Sequence, residues 1–140
     1  MDRLVLASRL ESLRRCVQRI VERRPDSLEA LEQDADLQDI LSVNLTRAVQ
    51  LCVDIALQLL SETEGAAPGT MAESFRRLAE QDVIPMALAD RLRAAVGFRN
   101  IAVHQYQQID WAIVHSICHE HLDDFREFAR IASSALDADR

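Results

Sequence analysis

The stretch from Asp36 to Leu60 constrains the fold more than any other. Leu37, Leu41, Leu45, Ala48, Cys52, Ile55 and Leu59 recur at spacings of three and four, which places them on one stripe of a helix. It is the most apolar long element of the chain and is expected at the centre of a bundle. A second stripe, Leu6, Leu10, Leu13, Val17 and Ile20, predicts a helix over residues 2–23, with Pro25 ending it. The acidic segment 26–35 is ambiguous, although Ser27 could cap a short helical turn through Leu31. Gly65 to Gly69, with Pro68 inside it, is the obvious loop. Thr70-Met-Ala-Glu73 has the capping-box pattern and predicts a third helix from Met71 to about Gln81.

Pro85 suits the first turn of a fourth helix, which carries Leu88, Leu92, Ala95 and Val96 and runs on to His104. Gln105 to Ile109 reads as a joint. Asp110 caps a last helix whose stripe is Trp111, Val114, Cys118, Leu122, Phe125 and Phe128/Ala129, reaching about Leu136. The expectation is an all-α, up-and-down bundle of four to five helices in a single domain, residues 1–140. Three Gly, three Pro and 4% aromatics agree with an all-helical chain, and 49% apolar residues are enough for a core.

The formal charge of −7 argues against a general nucleic-acid coat. The charge is uneven, however. Residues 1–64 carry eight Arg and twelve acids, residues 71–106 five Arg and four acids, and residues 107–140 three Arg and seven acids. Only the middle segment escapes net acidity. Cys16, Cys52 and Cys118 are scattered without a C-x-x-C, which reads as buried thiols in a reducing compartment. No signal peptide is evident, and Arg, Asp or Glu interrupt the apolar runs, so a cytoplasmic protein with no membrane span is expected.

The reactive side chains gather in Arg99-Asn-Ile-Ala-Val-His104-Gln-Tyr106. Arginine grips phosphate well, and histidine suits proton transfer near neutrality. At ~100° per residue, His104 lies ~140° from Arg99, whereas Tyr106 lies within ~20° of it. Asn100 and His104 are an i,i+4 pair able to hydrogen-bond. Arg99 and His104 therefore do not converge on one ideal helix. Either the helix ends near His104, or a symmetric partner chain supplies its own Arg99 and His104 across a groove. Such a set suits metal-independent RNA cleavage. The 2′-hydroxyl attacks the adjacent phosphate, His104 moves protons and Arg99 stabilises the charge, leaving a cyclic phosphate. The same residues also fit a capped helix end with no chemistry.

Elsewhere, His115 and His119 form an i,i+4 pair with Cys118 and His121 nearby, but Ser116 stands where a zinc-protease glutamate would be, and no metal site is expected. Arg76 and Arg77 read as a solvated face, Arg91 and Arg93 as better candidates for RNA backbone contacts, and Trp111 as core or dimer interface.

The spacing Arg99-x4-His104-x-Tyr106 resembles the signature of HepT-like toxins of the HEPN superfamily. Asp36-Leu-Gln-Asp39, Asn44-Leu-Thr-Arg47, Cys52-Val-Asp54-Ile-Ala, Ser74-Phe75, Leu78-Ala79 and His121-Leu-Asp-Asp-Phe125 resemble the family in the same order, over nearly the whole chain. Asn100 after the arginine also fits, whereas Gln105 stands where the family often has Asp. The resemblance implies a homodimeric HEPN-like ribonuclease without a cofactor, the toxin of a type VII-like toxin–antitoxin system. Arg99 and His104 would be catalytic, with Asn100 and Tyr106 in support, at a composite site acting on tRNA or mRNA. It further implies that a cognate MntA-type nucleotidyltransferase antitoxin neutralises the toxin by AMPylation of Tyr106. The alternative is a non-catalytic helical module that binds a nucleotide or a protein partner.

Overall fold

The computed structural model describes residues 1–138. Among these residues there are seven α-helices and no strand. They are α1 (Arg3–Arg23), α2 (Leu28–Glu32), α3 (Ala35–Leu60), α4 (Met71–Glu80), α5 (Met86–His104), α6 (Trp111–Glu120) and α7 (Leu122–Ala138). A single 3-10 turn, Tyr106–Gln108, separates α5 from α6.

Helix α3 packs against each of the other six helices. That position follows from its composition. Leu41, Leu45, Ala48, Cys52, Ile55 and Leu59 of the expected stripe are buried, and Val49, Val53, Ala56 and Leu60 widen the buried face. By length and composition α3 could cross a membrane, but half of its most apolar window is buried against neighbouring helices. It is the core helix of the bundle.

Capping side chains begin most of the helices, Ser27, Thr70 and Asp110 among them as expected. Ser27 Oγ accepts from the Ala30 N–H and Asp34 Oδ1 from the Leu37 N–H, each at 3.1 Å. Thr70 Oγ1 accepts from the Glu73 N–H at 3.1 Å. Glu73 completes the box one residue early, accepting from the Gly69 N–H at 2.8 Å. That bond, helped by the nearby Arg76, holds its carboxyl below the usual carboxylate range. Helix α4 stops at Glu80 in a Schellman turn. The Val83 N–H donates to Leu78 O at 2.9 Å and the Asp82 N–H to Ala79 O at 3.0 Å. Asp82 takes the left-handed position this turn demands, at φ 59°.

The final apolar stripe is not one helix. It breaks at His121, whose φ is −124° and ψ 8°. Asp123 and Asp124 occupy the first turn of α7, where acids favour the positive end of a new helix. The break leaves the stripe intact, because Val114, Cys118, Leu122, Phe125 and Phe128 are all buried. All three thiols are buried and free. Burial pushes the Cys118 thiol up to about 12 and raises Cys16 and Cys52 as well, so none is poised as a nucleophile.

A candidate active site at the end of helix α5

Helix α5 brings the motif to the surface and ends at His104. Gln105 leaves the helical region (φ −142°, ψ 52°) while its N–H still donates to Ile101 O at 2.8 Å. The Gln108 N–H then donates to Gln105 O at 2.8 Å and the Ile109 N–H to Tyr106 O at 3.1 Å, closing the 3-10 turn. The helix thus ends near His104, as the first alternative expected, but Arg99 and His104 both lie within it and keep their divergent phases. The helix stops at the histidine, and Tyr106 is aimed by a turn of its own.

Three arginines stand on α5, and their partners separate them. Arg91 Nε meets Asp124 Oδ1 at 2.7 Å, and its Nη2 lies 3.5 Å from Glu127 Oε2, bracing α5 to α7. Arg93 lies 3.5 Å from Asp90 on its own helix. Arg91 and Arg93, read from the sequence as candidates for RNA backbone contacts, are thus each paired with an acid while remaining exposed, Arg93 only at 3.5 Å. Arg76 is held likewise by Glu73 and Glu80, and Arg77 donates to the Ala66 carbonyl. Arg99 has no carboxylate partner among the described residues. Its Nη1 donates to Asn100 Oδ1 at 3.2 Å, and its Nε is buried without a hydrogen-bond acceptor. A half-desolvated guanidinium with an open donor is ready for an anion.

That bond also corrects the expected pairing of Asn100 with His104. Asn100 turns its oxygen to its neighbour Arg99, and His104 is exposed at the helix end without a hydrogen-bond partner among the described residues. None of the described residues fixes the imidazole, which leaves it open to a substrate.

Tyr106 is the best-anchored member of the motif. Its hydroxyl donates to Asp39 Oδ1 on α3 at 2.6 Å, and its ring sits edge-on to Trp111, with centroids 6.1 Å apart. Ser42, one turn further along α3, places its buried hydroxyl beside the same phenol without reaching hydrogen-bond geometry. The residue remains 40% exposed, enough for a reagent to reach it. Asp39 is the residue that local reading did not assign. It lies 67 positions from Tyr106, and only the packing of the 3-10 turn against α3 joins them. The one trace in the sequence was its place in the Asp36-Leu-Gln-Asp39 stretch.

Desolvation and the Asp39 carboxylate together raise the Tyr106 phenol above its ordinary value of 10.0. The folded state thus holds this proton more tightly than the unfolded chain does. The stability this contributes is fully present below the unfolded value and is lost as pH rises through the raised one. Tyr106 is the only tyrosine of the chain, so its phenolate absorbance reports it alone. The expected titration midpoint lies above 10 and moves back down in Asp39→Ala; an unshifted midpoint in that variant would show that the bond is absent in solution.

The histidines of α6 are otherwise engaged. His115 and His119 stack with ring centroids 4.4 Å apart, and His119 Nε2–H donates to the Pro25 carbonyl at 2.7 Å. Cys118 points into the core, and His121 lies 3.8 Å from Asp124. Among the described residues no three His, Cys, Asp or Glu side chains converge as a metal site would require.

Beside the motif, between α5 and α6, runs an apolar groove of about 640 Å³. Phe98, Ile101, Ile113 and Ile117 line it, with Gln108 and Asp110 at its edge. Ile101, Val103 and Ile113 are each 40–51% exposed, which is much apolar surface next to a polar site.

An all-helical bundle that presents an unneutralised arginine, a terminal histidine and a carboxylate-held tyrosine in R-x4-H-x-Y order defines a helical ribonuclease of the HEPN type. Residues 10–132 match the family described as Ribonuclease HepT-like, and the chain belongs to that family. It is 35% identical over 124 residues to the mRNA nuclease HepT of Shewanella oneidensis, covering 89% of this chain and 92% of the relative. Two solved structures superpose with TM-scores of 0.87. One is a toxin–antitoxin with AMP-PNP, 32% identical, covering 93% of this chain and 98% of the other. The second is the tri-AMPylated Shewanella oneidensis HEPN toxin in complex with MNT antitoxin, 33% identical, covering 96% of this chain and 98% of that one.

Proposed function

We propose that this chain is the toxin of a toxin–antitoxin pair, an RNA endonuclease whose catalytic groups are Arg99 and His104 and whose off-switch is AMPylation of Tyr106. Family membership makes the chain a ribonuclease, and the observation that carries the site assignment is the state of Arg99. It alone among the α5 arginines lacks a carboxylate partner among the described residues, with one donor buried and unfilled. A phosphate of RNA fits that vacancy. His104 takes the proton from the attacking 2′-hydroxyl or returns one to the leaving oxygen, and Asn100 holds the guanidinium in place. Because Arg99 and His104 diverge, a second copy seated on the exposed Ile101, Val103 and Ile113 surface completes the groove with its own pair. The working unit in this reading is a homodimer built from one domain per chain, in the cytoplasm, with mRNA or tRNA as substrate.

An MntA-type nucleotidyltransferase is the antitoxin of this reading. The AMP that it adds to Tyr106 brings a phosphodiester and a base to the residue beside the site. The negative charge competes for Arg99, and the base fills the groove.

The test is one preparation measured twice. The purified chain, incubated with RNA in EDTA, is expected to produce fragments with cyclic phosphate ends. The same chain co-expressed with its cognate nucleotidyltransferase is expected to gain mass in steps of one AMP, lose that gain in Tyr106→Phe, and leave RNA intact while modified. RNA left uncut by the unmodified protein at stoichiometric concentration would instead support a non-catalytic binding module.

A further inference from the structure

The proposed modification raises a chemical problem that the fold answers. Tyr106 must attack the α-phosphorus of a nucleoside triphosphate, and a phenol with a raised pKa is a poor nucleophile while it keeps its proton. The structure puts a carboxylate at that proton. Asp39 Oδ1 lies 2.6 Å from the phenolic oxygen, within the range of a charge-assisted O–H···O bond. Asp39 makes no ion pair among the described residues, so no cation competes for its charge, and it is exposed, so a proton accepted there can pass to water. The Tyr106 residue is 40% exposed, so an incoming phosphate can approach its side chain from the solvent side.

We infer that Asp39 is the general base for the adenylylation of Tyr106. The inference rests on the reading of Tyr106 as the modified residue. In the step, the Tyr106 oxygen forms a bond to the α-phosphorus of a nucleoside triphosphate. The bond from that phosphorus to the bridging oxygen breaks, pyrophosphate leaves with the electron pair, and the phenolic proton passes to the Asp39 carboxylate and then to water. The product no longer has a proton to share. The Asp39 carboxylate then faces an ester oxygen and a phosphodiester charge, so the bond that held the ring against α3 becomes a repulsion. The modified tyrosine is thereby turned outward from α3, toward the site it blocks.

Two substitutions separate proton transfer from mere positioning. Asp39→Asn keeps an acceptor oxygen for the phenol but does not take its proton at neutral pH, whereas Asp39→Ala removes both. The complex of the chain with its nucleotidyltransferase, given ATP, is followed by intact mass and peptide mapping at Tyr106 across neutral to alkaline pH. Both variants are expected to be modified about 100-fold more slowly than wild type near neutrality. Their rates are expected to climb with pH as the phenol ionises unaided, while the wild-type profile stays flatter. Asp39→Glu is expected to recover part of the rate. Circular dichroism of each variant checks that the bundle is intact. If Asp39→Asn is modified at the wild-type rate with an unchanged pH profile, Asp39 is not the base. If only Asp39→Ala is slow, the role is positioning and the inference is overturned. A wild-type chain that gains no AMP at Tyr106 overturns the underlying reading, an outcome visible without any Asp39 variant.

Discussion

His104→Ala is expected to lower RNA cleavage by about 10²–10⁴-fold, the usual loss when a positioned acid–base group is removed. Arg99→Ala is expected to cost about 10²–10³-fold, as removal of one charge-stabilising donor does. The two losses should differ in kind. His104 is exposed and bonds to nothing in the described chain, so its removal leaves RNA binding nearly intact and appears in kcat. Arg99 meets phosphate in the ground state too, so its removal also weakens binding and flattens the salt dependence of that binding. Neither side chain belongs to the core, so helical content and unfolding midpoint should remain near wild type. A single-turnover cleavage assay with a fluorescent RNA reads both rates. Wild-type cleavage by His104→Ala would remove the histidine from the mechanism. Mixing the two inactive variants asks a further question. Dimers holding one Arg99 and one His104 regain part of the activity if the groove is shared, and regain none if each chain carries a whole site.

How much of this is legible in the sequence follows from the range over which each feature is encoded. Helix stripes and caps are local, so Thr70, Asp110 and Ser27 announced their helices. The break at His121 was hidden because Cys118, Leu122 and Phe125 keep a spacing of four and three across it, and neither Gly nor Pro marks the turn. The acids at 123 and 124 were the available sign of a fresh helix start. The motif itself was visible from its spacing, together with the divergence of Arg99 and His104. What the side chains of the motif do was less so. The neutralisation of Arg91 by Asp124 and Glu127 joins residues more than thirty apart, and the Tyr106–Asp39 bond joins residues 67 apart. No periodicity encodes such pairs, because they depend on how helices dock.

The second large effect concerns that docking. Phe128→Ala is expected to destabilise the protein by about 3–5 kcal/mol, the usual range for deleting a buried aromatic ring. Phe128 on α7 is fully buried and meets the equally buried Phe75 of α4 edge to face, with centroids 5.7 Å apart and rings at 86°. Removing the ring opens a cavity between two helices and forfeits the aromatic contact, itself worth about 0.5–1.5 kcal/mol beyond its area. Against a total stability of about 5–15 kcal/mol the loss is large, and the thermal midpoint should fall by roughly 10 °C or more. Phe128→Leu, which keeps most of the volume, should lose much less. Phe75→Ala combined with Phe128→Ala should lose less than the sum of the two, since each already forfeits the shared contact. Denaturant unfolding at one fixed protein concentration measures all of these and keeps any dimer linkage constant across variants. A loss below about 1 kcal/mol for Phe128→Ala would mean that α7 is not packed as described. The consequence reaches the site, because α7 also carries Asp124 and Glu127, the acids that hold Arg91 of α5. Loosening α7 frees Arg91 and slackens the helix that presents Arg99 and His104. Partial loss of cleavage by folded Phe128→Ala at low temperature would then trace to positioning, with the catalytic side chains themselves unchanged.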